Sequence, residues 1–360
     1  MEVLEINKIG SAVSPLNLTK TVSVIGYSEL PRVGDVLVVK ALSESVSYGN
    51  LELPSGRLAK INPNDRLLGV LGKRRALKGY VGDIPEQVKT GDRLHLLNMG
   101  GVIGVCLGHH SSLSDAIQVE VLGIACDANR NILNIADKAL KPTNFLEKSA
   151  PVVIVAGTCM NSGKTVAATE IIKQACQAGL KVAGGKLTGV AALRDTLNME
   201  DHGAIATASF LDCGLPSTVD VEELAAVAKA ILNRLNKHEP DLIVVELGDG
   251  IIGGYAVDSI LQDAQIRAAT SAFVFCASDY VGVIGGIEIL RQMGVEIDVI
   301  AGSVTDSNMG EDFVQEKFGI NAGNARRDGL RLFNLIQTGM DRIDRINNSG
   351  FYPVNSVHTC

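Results

Sequence analysis

The sequence predicts an α/β chain in two parts: a mostly parallel β-sheet with helices on both faces, preceded by a small β-barrel or β-sandwich. Three observations carry this expectation. Up to about residue 140, short apolar runs are divided by Gly, Pro and Asp turns. From about residue 151, short apolar runs alternate with stretches of helical periodicity. Between them, ALKPTNFLEKSAP is polar and holds two prolines, which suits a linker. The expected divisions are therefore a β-rich part over 1–140, a linker over 141–150, an α/β domain over 151–345 and a polar tail over 346–360.

Composition narrows the function. A chain of 360 residues has room for two ordinary domains. Its 46% hydrophobic and 20% charged residues suit a globular protein. A net charge of −7 with no basic run argues against binding nucleic acid or anionic membrane through charge alone. No apolar run approaches the ~20 residues of a spanning helix. MEVLEINKIG lacks a basic segment followed by an apolar one, so no secretory signal is expected. Seven scattered cysteines without a C-x-x-C pair fit reduced thiols in a cytoplasm better than a zinc site or a disulfide frame.

In the first part, DVLVVKAL, DRLLGVLG, RLHLLNMGG and VIGVCLG read as strands. A pattern G-D-x-L recurs at Gly34 and Gly91. It is either a duplicated hairpin or a common way of turning into a strand. In the second part, PVVIVAG, KVAGGK, LIVVELG, SAFVFCAS and VIAGSV read as buried strands. VAATEIIKQACQAGL and VEELAAVAKAILNRLNKH read as helices. Ligands of such sheets bind at the carboxyl ends of the strands.

The stretch between the first of these strands and its helix is GTCMNSGKT, residues 157–165. It has the form of a phosphate-binding loop, G-x-x-x-x-G-K-[ST], with one extra residue between the glycines. Glycines let backbone N–H groups turn inward, and the helix start adds partial positive charge. Gly157, Thr158, Asn161, Ser162 and Gly163 are thus candidate nucleotide contacts. Lys164 is placed to reach the β- and γ-phosphates, and the Thr165 hydroxyl to meet Mg²⁺. Cys159 lies inside the loop, either as a reactive thiol beside a helix start or, more plainly, as a small residue that fits.

The longer loop resembles that of the dethiobiotin synthetase-like P-loop NTPases, a group that includes the cobyrinic and cobyric acid amidating enzymes. The resemblance spans about residues 150–310 and implies further site residues. Lys186 in KVAGGKLTG would face the γ-phosphate and the reacting group, although Leu187 stands where relatives have Pro. Of the acids in RDTLNMEDHG, which are Asp195, Glu200 and Asp201, spacing favours Asp201 as a metal ligand. Glu246, at the end of the four apolar residues that open LIVVELGDGIIGG, would serve Mg²⁺ as a Walker-B-type carboxylate, with Asp249 as an additional acid in the turn. In VIAGSVTDSN, Asn308 would contact the base, with Thr305 and Asp306 as alternatives; an acid at 306 also resembles the guanine-reading Asp of other NTPases.

The resemblance implies Mg²⁺, ATP with GTP open, and a homodimer. The implied chemistry is ATP-dependent activation of a carboxylate or carbamate on a small molecule, then attack by a nitrogen nucleophile. Lys164, Lys186 and Glu246 would be catalytic, and Thr165, Asp201 and Glu246 would hold the metal. Cys159 replaces an acid of the dethiobiotin-forming enzymes, which sets that product aside. Nothing in the sequence resembles a glutaminase domain. The competing expectation is an NTP-hydrolysing switch or chaperone that docks partners through its β-rich part.

Overall fold

The computed structural model describes residues 1–26 and 30–338; the expected polar tail at 346–360 lies outside the described residues. The amino-terminal part is a barrel rather than a sandwich. Strands Val36–Ala41, Arg66–Leu71, Val102–His109, Arg93–Leu96 and Gln118–Cys126 pair in that order, and the last also pairs with the first, which closes the ring. Closure removes the free edges that an open sheet must protect.

The run VLVV is continuous because this strand is buried on both sides. Leu37, Val39 and Ala41 pack inside the barrel with Leu67, Leu94, Val119 and Val121. Val36 and Val38 point outward and join Leu68, Val70 and Val102 in a second core.

The G-D pattern is turn chemistry. Asp35 and Asp92 each accept a hydrogen bond from the backbone N–H three residues earlier, at Arg32 (2.9 Å) and Lys89 (2.7 Å). Gly34 and Gly91 take the left-handed conformation just before them, with φ of 88° and 92°. The same turn recurs at Asn62–Asp65, with Asn64 at φ 71° and a 2.6 Å bond from the Asn62 N–H to Asp65. There no G-D pair is present, so the local geometry alone accounts for the recurrence.

The second part is a seven-stranded sheet in the order Ala206–Ser209, Val182–Thr188, Leu242–Leu247, Val152–Gly157, Thr270–Cys276, Val299–Ala301, Asn321–Ala322. Every pairing in it is parallel. Successive residues of its strands feed two different cores. Val152, Ile154, Ala156, Ile243 and Val245 enter one; Val153, Val155, Leu242 and Val244 enter the other. Helices therefore cover both faces, as the unbroken apolar runs require.

The first of those cores also contains Val36, Val38, Leu68 and Val102 from the barrel. One apolar interior thus runs through both parts. Polar contacts reinforce it. Glu52, 1% exposed, accepts the backbone N–H groups of Leu193 (2.7 Å) and Arg194 (2.8 Å) and the hydroxyl of Ser11. Asn98 donates to the Ala191 carbonyl at 2.6 Å. The segment 141–150 carries no regular structure but is held to helix Leu224–Asn236: Asn233 accepts the Glu147 N–H and Asn236 the Ala150 N–H, both at 2.9 Å. Among the described residues, no helix is long and apolar enough to cross a membrane.

Substituting Glu52→Ala leaves three donors at this junction without their acceptor: the buried Ser11 hydroxyl and the part-buried backbone N–H groups of Leu193 and Arg194. The expected loss is about 3 kcal/mol of unfolding free energy, from the desolvation cost of unpaired polar groups. Urea unfolding followed by circular dichroism measures it; an unchanged midpoint would contradict the buried role of Glu52.

Candidate nucleotide-binding site

The loop 157–165 joins strand Val152–Gly157 to helix Lys164–Gln177 at the carboxyl edge of the parallel sheet. The strand ladder continues one step into the loop, with the Thr158 N–H donating to the Cys276 carbonyl at 3.0 Å. The chain then turns back, with Asn161 at φ 66° and Gly163 at φ 102°. A Cβ at Gly163 would lie 2.9 Å from the Cα of Gly302, so only glycine permits that approach. The Ser162 carbonyl accepts the Ser303 N–H at 3.2 Å, which ties the loop to the turn after Val299–Ala301.

Lys164 is 5% exposed. Its Nζ donates to the Cys159 carbonyl at 2.8 Å and the Ser162 hydroxyl at 3.5 Å. Burial lowers its ammonium pKa from the usual lysine value against the pull of Glu246, and the neighbouring Lys186 charge adds to the fall. An anion placed at the loop would reverse that cost.

Glu246 is the penultimate residue of strand Leu242–Leu247, in register with Val155 on one side and Lys186 on the other. Its Oε1 accepts both the Lys186 ammonium (2.8 Å) and the Thr165 hydroxyl (3.1 Å). Its Oε2 is buried without a hydrogen-bond partner. Lys186 also donates to Asp195 Oδ2 at 2.6 Å. Burial opposes the charge on Lys186, but Asp195 and Glu246 prevail and hold its pKa above the usual lysine value. Burial likewise opposes the Asp195 carboxylate, but Lys186 prevails and holds its pKa low. The register shifts between Lys186 and Thr188, leaving Leu187, fully buried, as the extra residue of a bulge. It occupies the position where the resembling proteins have Pro.

The structure brings Lys164, Thr165, Lys186 and Glu246 together. It does not bring Asp201 to them. Asp201 is exposed at the far end of helix Arg194–Asp201, about 9 Å along the axis from Asp195. The acid at the site is Asp195, in the first turn of that helix, a position that counting from Lys186 by family spacing passed over. Asn308 is exposed and accepts a hydrogen bond from Arg327. The shallow depression beside the loop is lined instead by Gly163, Val166, Ser303, Asp306, Asn324 and Arg326. Thr305 is fully buried and bonded to the Gly302 carbonyl at 2.8 Å. Asn324 donates to Asp306 at 2.9 Å and accepts the Arg326 and Arg327 N–H groups at 3.0 and 2.9 Å. Sequence reasoning missed Asn324; the signal was the Asn that starts NARRDG, whose side chain closes a turn ahead of the helix that begins at 329.

The Cys159 thiol meets the Thr158 hydroxyl at 3.9 Å, the Met160 carbonyl at 3.3 Å and the Ser278 hydroxyl at 3.6 Å. Among the described residues, no group of three or more His, Cys, Asp or Glu is placed to cage a metal ion.

A glycine-turned loop between a buried strand and its helix, at the carboxyl edge of a parallel sheet, with an acid ending the adjacent strand, defines a P-loop NTPase fold. No family model matches the sequence, and no curated protein sequence matches it. Solved structures that show likeness include the following three. Chloroplast FtsY from Physcomitrella patens is 15% identical, over 52% of this chain and 62% of that one, at a TM-score of 0.37. A duf1611 family protein from Anabaena variabilis is 16% identical, over 56% and 63%, at 0.38. The signal recognition particle 54 kDa protein from Aeropyrum pernix, in complex with GDP, is 16% identical, over 60% and 55%, at 0.36. The chain spans less than two thirds of each of these structures. The fold class rests on strand order and the loop, not on these likenesses.

The Lys186–Asp195 pair sets a pH dependence. Because the Asp195 pKa is depressed in the fold, its contribution is complete above the ordinary carboxylate range and is lost as pH falls through the depressed value. Asp195→Asn should therefore cost about 2 kcal/mol near neutrality, the scale of a hydrogen bond to a charged group. The gap to wild type should close in acid. Urea midpoints taken from neutral to strongly acid pH check this; a constant gap would count against the pair.

Proposed function

We propose that the chain is a Mg²⁺-dependent, nucleotide-using enzyme. In this reading it binds ATP at loop 157–165 and uses it to activate a carboxylate or carbamate on a small molecule. The observation that supports this most is the second lysine. Lys186 stands opposite Lys164, bonded to the same carboxylate that the Thr165 hydroxyl meets. Two ammonium groups and the loop amides would offset the charge on a γ-phosphate, and phosphoryl transfer depends on such positioning and neutralisation. Lys164 would leave the Cys159 carbonyl for phosphate oxygens, regaining by charge pairing what burial costs it.

Thr165 and Glu246 would hold Mg²⁺. The fit is chemical: both are oxygen donors, Oε2 of Glu246 is buried and unpartnered, and Mg²⁺ is ordinarily held by one or two protein oxygens plus phosphates and water rather than by a protein cage. When bound, the ion would neutralise phosphate charge. Lys186 would bridge nucleotide and acceptor, and Asp195 would keep it charged and aimed.

A switch reading has its own support. The glycine-rich turn after Glu246 touches both the loop and the barrel: the Ile251 N–H donates to the Gly157 carbonyl at 2.9 Å, and the Tyr255 hydroxyl accepts the Arg75 N–H at 3.1 Å. A change at the phosphate could pass along it.

Thermal melting with Mg–ATP, Mg–GTP and coenzyme A tests the central reading. Nucleotide at a hundredfold excess over Kd should stabilise wild type by about 2.7 kcal/mol, and Lys164→Ala should abolish the shift. No stabilisation by any nucleotide would refute it, and a response to GTP alone would refute the choice of ATP. Lys186→Ala should retain nucleotide binding and lose about 10²–10³-fold in turnover, the scale of one removed charge-stabilising donor. Unaltered turnover would favour the switch.

A further inference from the structure

Among the described residues, two buried side-chain polar atoms lack a hydrogen-bond partner: Oε2 of Glu246 and Nε of Arg74. The Mg²⁺ reading accounts for the first. Arg74 belongs to the barrel, on strand Arg74–Arg75, and is 3% exposed. Its two terminal nitrogens donate to the Leu97 carbonyl and to the Tyr48 hydroxyl (3.1 Å), which leaves Nε–H over. A buried guanidinium with a spare donor calls for an acceptor.

Asp249 supplies the complementary group. It is a half-buried acid whose carboxylate makes no hydrogen bond or ion pair with the described residues. Burial raises its pKa, while Lys164, Arg74 and Lys186 pull the other way, so it stands within the field of both phosphate-side lysines and of the barrel arginine. Its placement is fixed. Asp249 is left-handed at φ 66°, between Gly248 and Gly250. A Cβ on Gly248 would meet the Thr188 carbonyl at 2.3 Å, and one on Gly250 the Thr158 carbonyl at 2.3 Å. The turn is thus clamped between the loop and the Lys186 strand, with Asp249 at its apex. The same turn reaches the barrel beside Arg74: Gly254 packs on the Arg75 side chain, and Tyr255 accepts the Arg75 N–H.

We propose that Arg74 and Asp249 form the acceptor site, where barrel and α/β domain meet. Its ligand is a small molecule that carries a carboxylate for Arg74 and an N–H or O–H donor for Asp249, an amino- or hydroxy-carboxylate. This deepens the enzyme reading above and rests on nucleotide binding at the adjacent loop. It also gives the barrel a chemical role, since one of the two ligand-holding groups comes from it.

The test uses the full chain with glycine, β-alanine, lactate and malate as probes at millimolar concentration. Melting temperature is read with and without Mg–ATP, turnover with it, and nucleotide affinity separately. At least one probe should stabilise wild type and raise turnover. Arg74→Gln and Asp249→Asn should each raise its half-saturating concentration about tenfold or more, the loss of one charge-assisted contact, with nucleotide affinity unchanged. The second variant guards against misfolding of the first, because Asp249 has no internal partner to lose. No response to any probe, or wild-type responses in both variants, would overturn the proposal. A probe that stabilises wild type but not the variants, in a chain that binds no nucleotide, would uphold this site and refute the enzyme reading.

Discussion

The structure depends on one carboxylate. Glu246 sits near the end of strand Leu242–Leu247, between the strand that feeds the phosphate loop and the strand that carries Lys186. Its Oε1 is shared by an ammonium and a hydroxyl that arrive from opposite sides. A buried charge is costly unless paired and hydrogen-bonded. Here the pairing fixes three elements in one geometry: helix start, strand end and the Lys186 side chain. Asp195 extends the network, and helix Arg194–Asp201 is held in turn by Glu52 of the barrel through two backbone bonds. The charge network at the loop is therefore continuous with the junction between the two parts.

That junction is apolar as well as polar. Outward-facing barrel residues share a core with the parallel sheet, so the barrel is built into the molecule rather than tethered to it. The segments it grips, 191–194 and 254–255, are those that follow the Lys186 and Glu246 strands. This arrangement supports a barrel that shapes the site, and it is equally the path a conformational signal would take.

Much of this was legible in the sequence, and the failures have physical reasons. Buried strands announced themselves as unbroken apolar runs because both their faces are covered, and GTCMNSGKT announced the loop because only certain residues turn the backbone that way. The edge strand Ala206–Ser209, ATAS, carries no such run. The last strand, Asn321–Ala322, is two residues long. Neither has the apolar length that marks a strand. Asp201 was chosen by family spacing, but the bulge at Leu187 and the helix beginning at Arg194 bring Asp195 round to Lys186. Asn308 was chosen from a resemblance in one turn. The depression beside the loop is completed by Asn324, which folding brings from beyond the next helix. Arg74 gave no signal at all, because its meaning depends on a contact between parts far apart in the chain.

The most direct measurement is a crystal structure of the full chain with Mg²⁺ and a non-hydrolysable ATP analogue. The account predicts phosphates within loop 157–165, Lys164 moved from the Cys159 carbonyl to phosphate oxygen, Lys186 facing the terminal phosphate, and the metal between Thr165 and Glu246. A nucleotide bound elsewhere, or phosphates in the loop with Lys164 still on the Cys159 carbonyl and Glu246 turned from the metal, would contradict it.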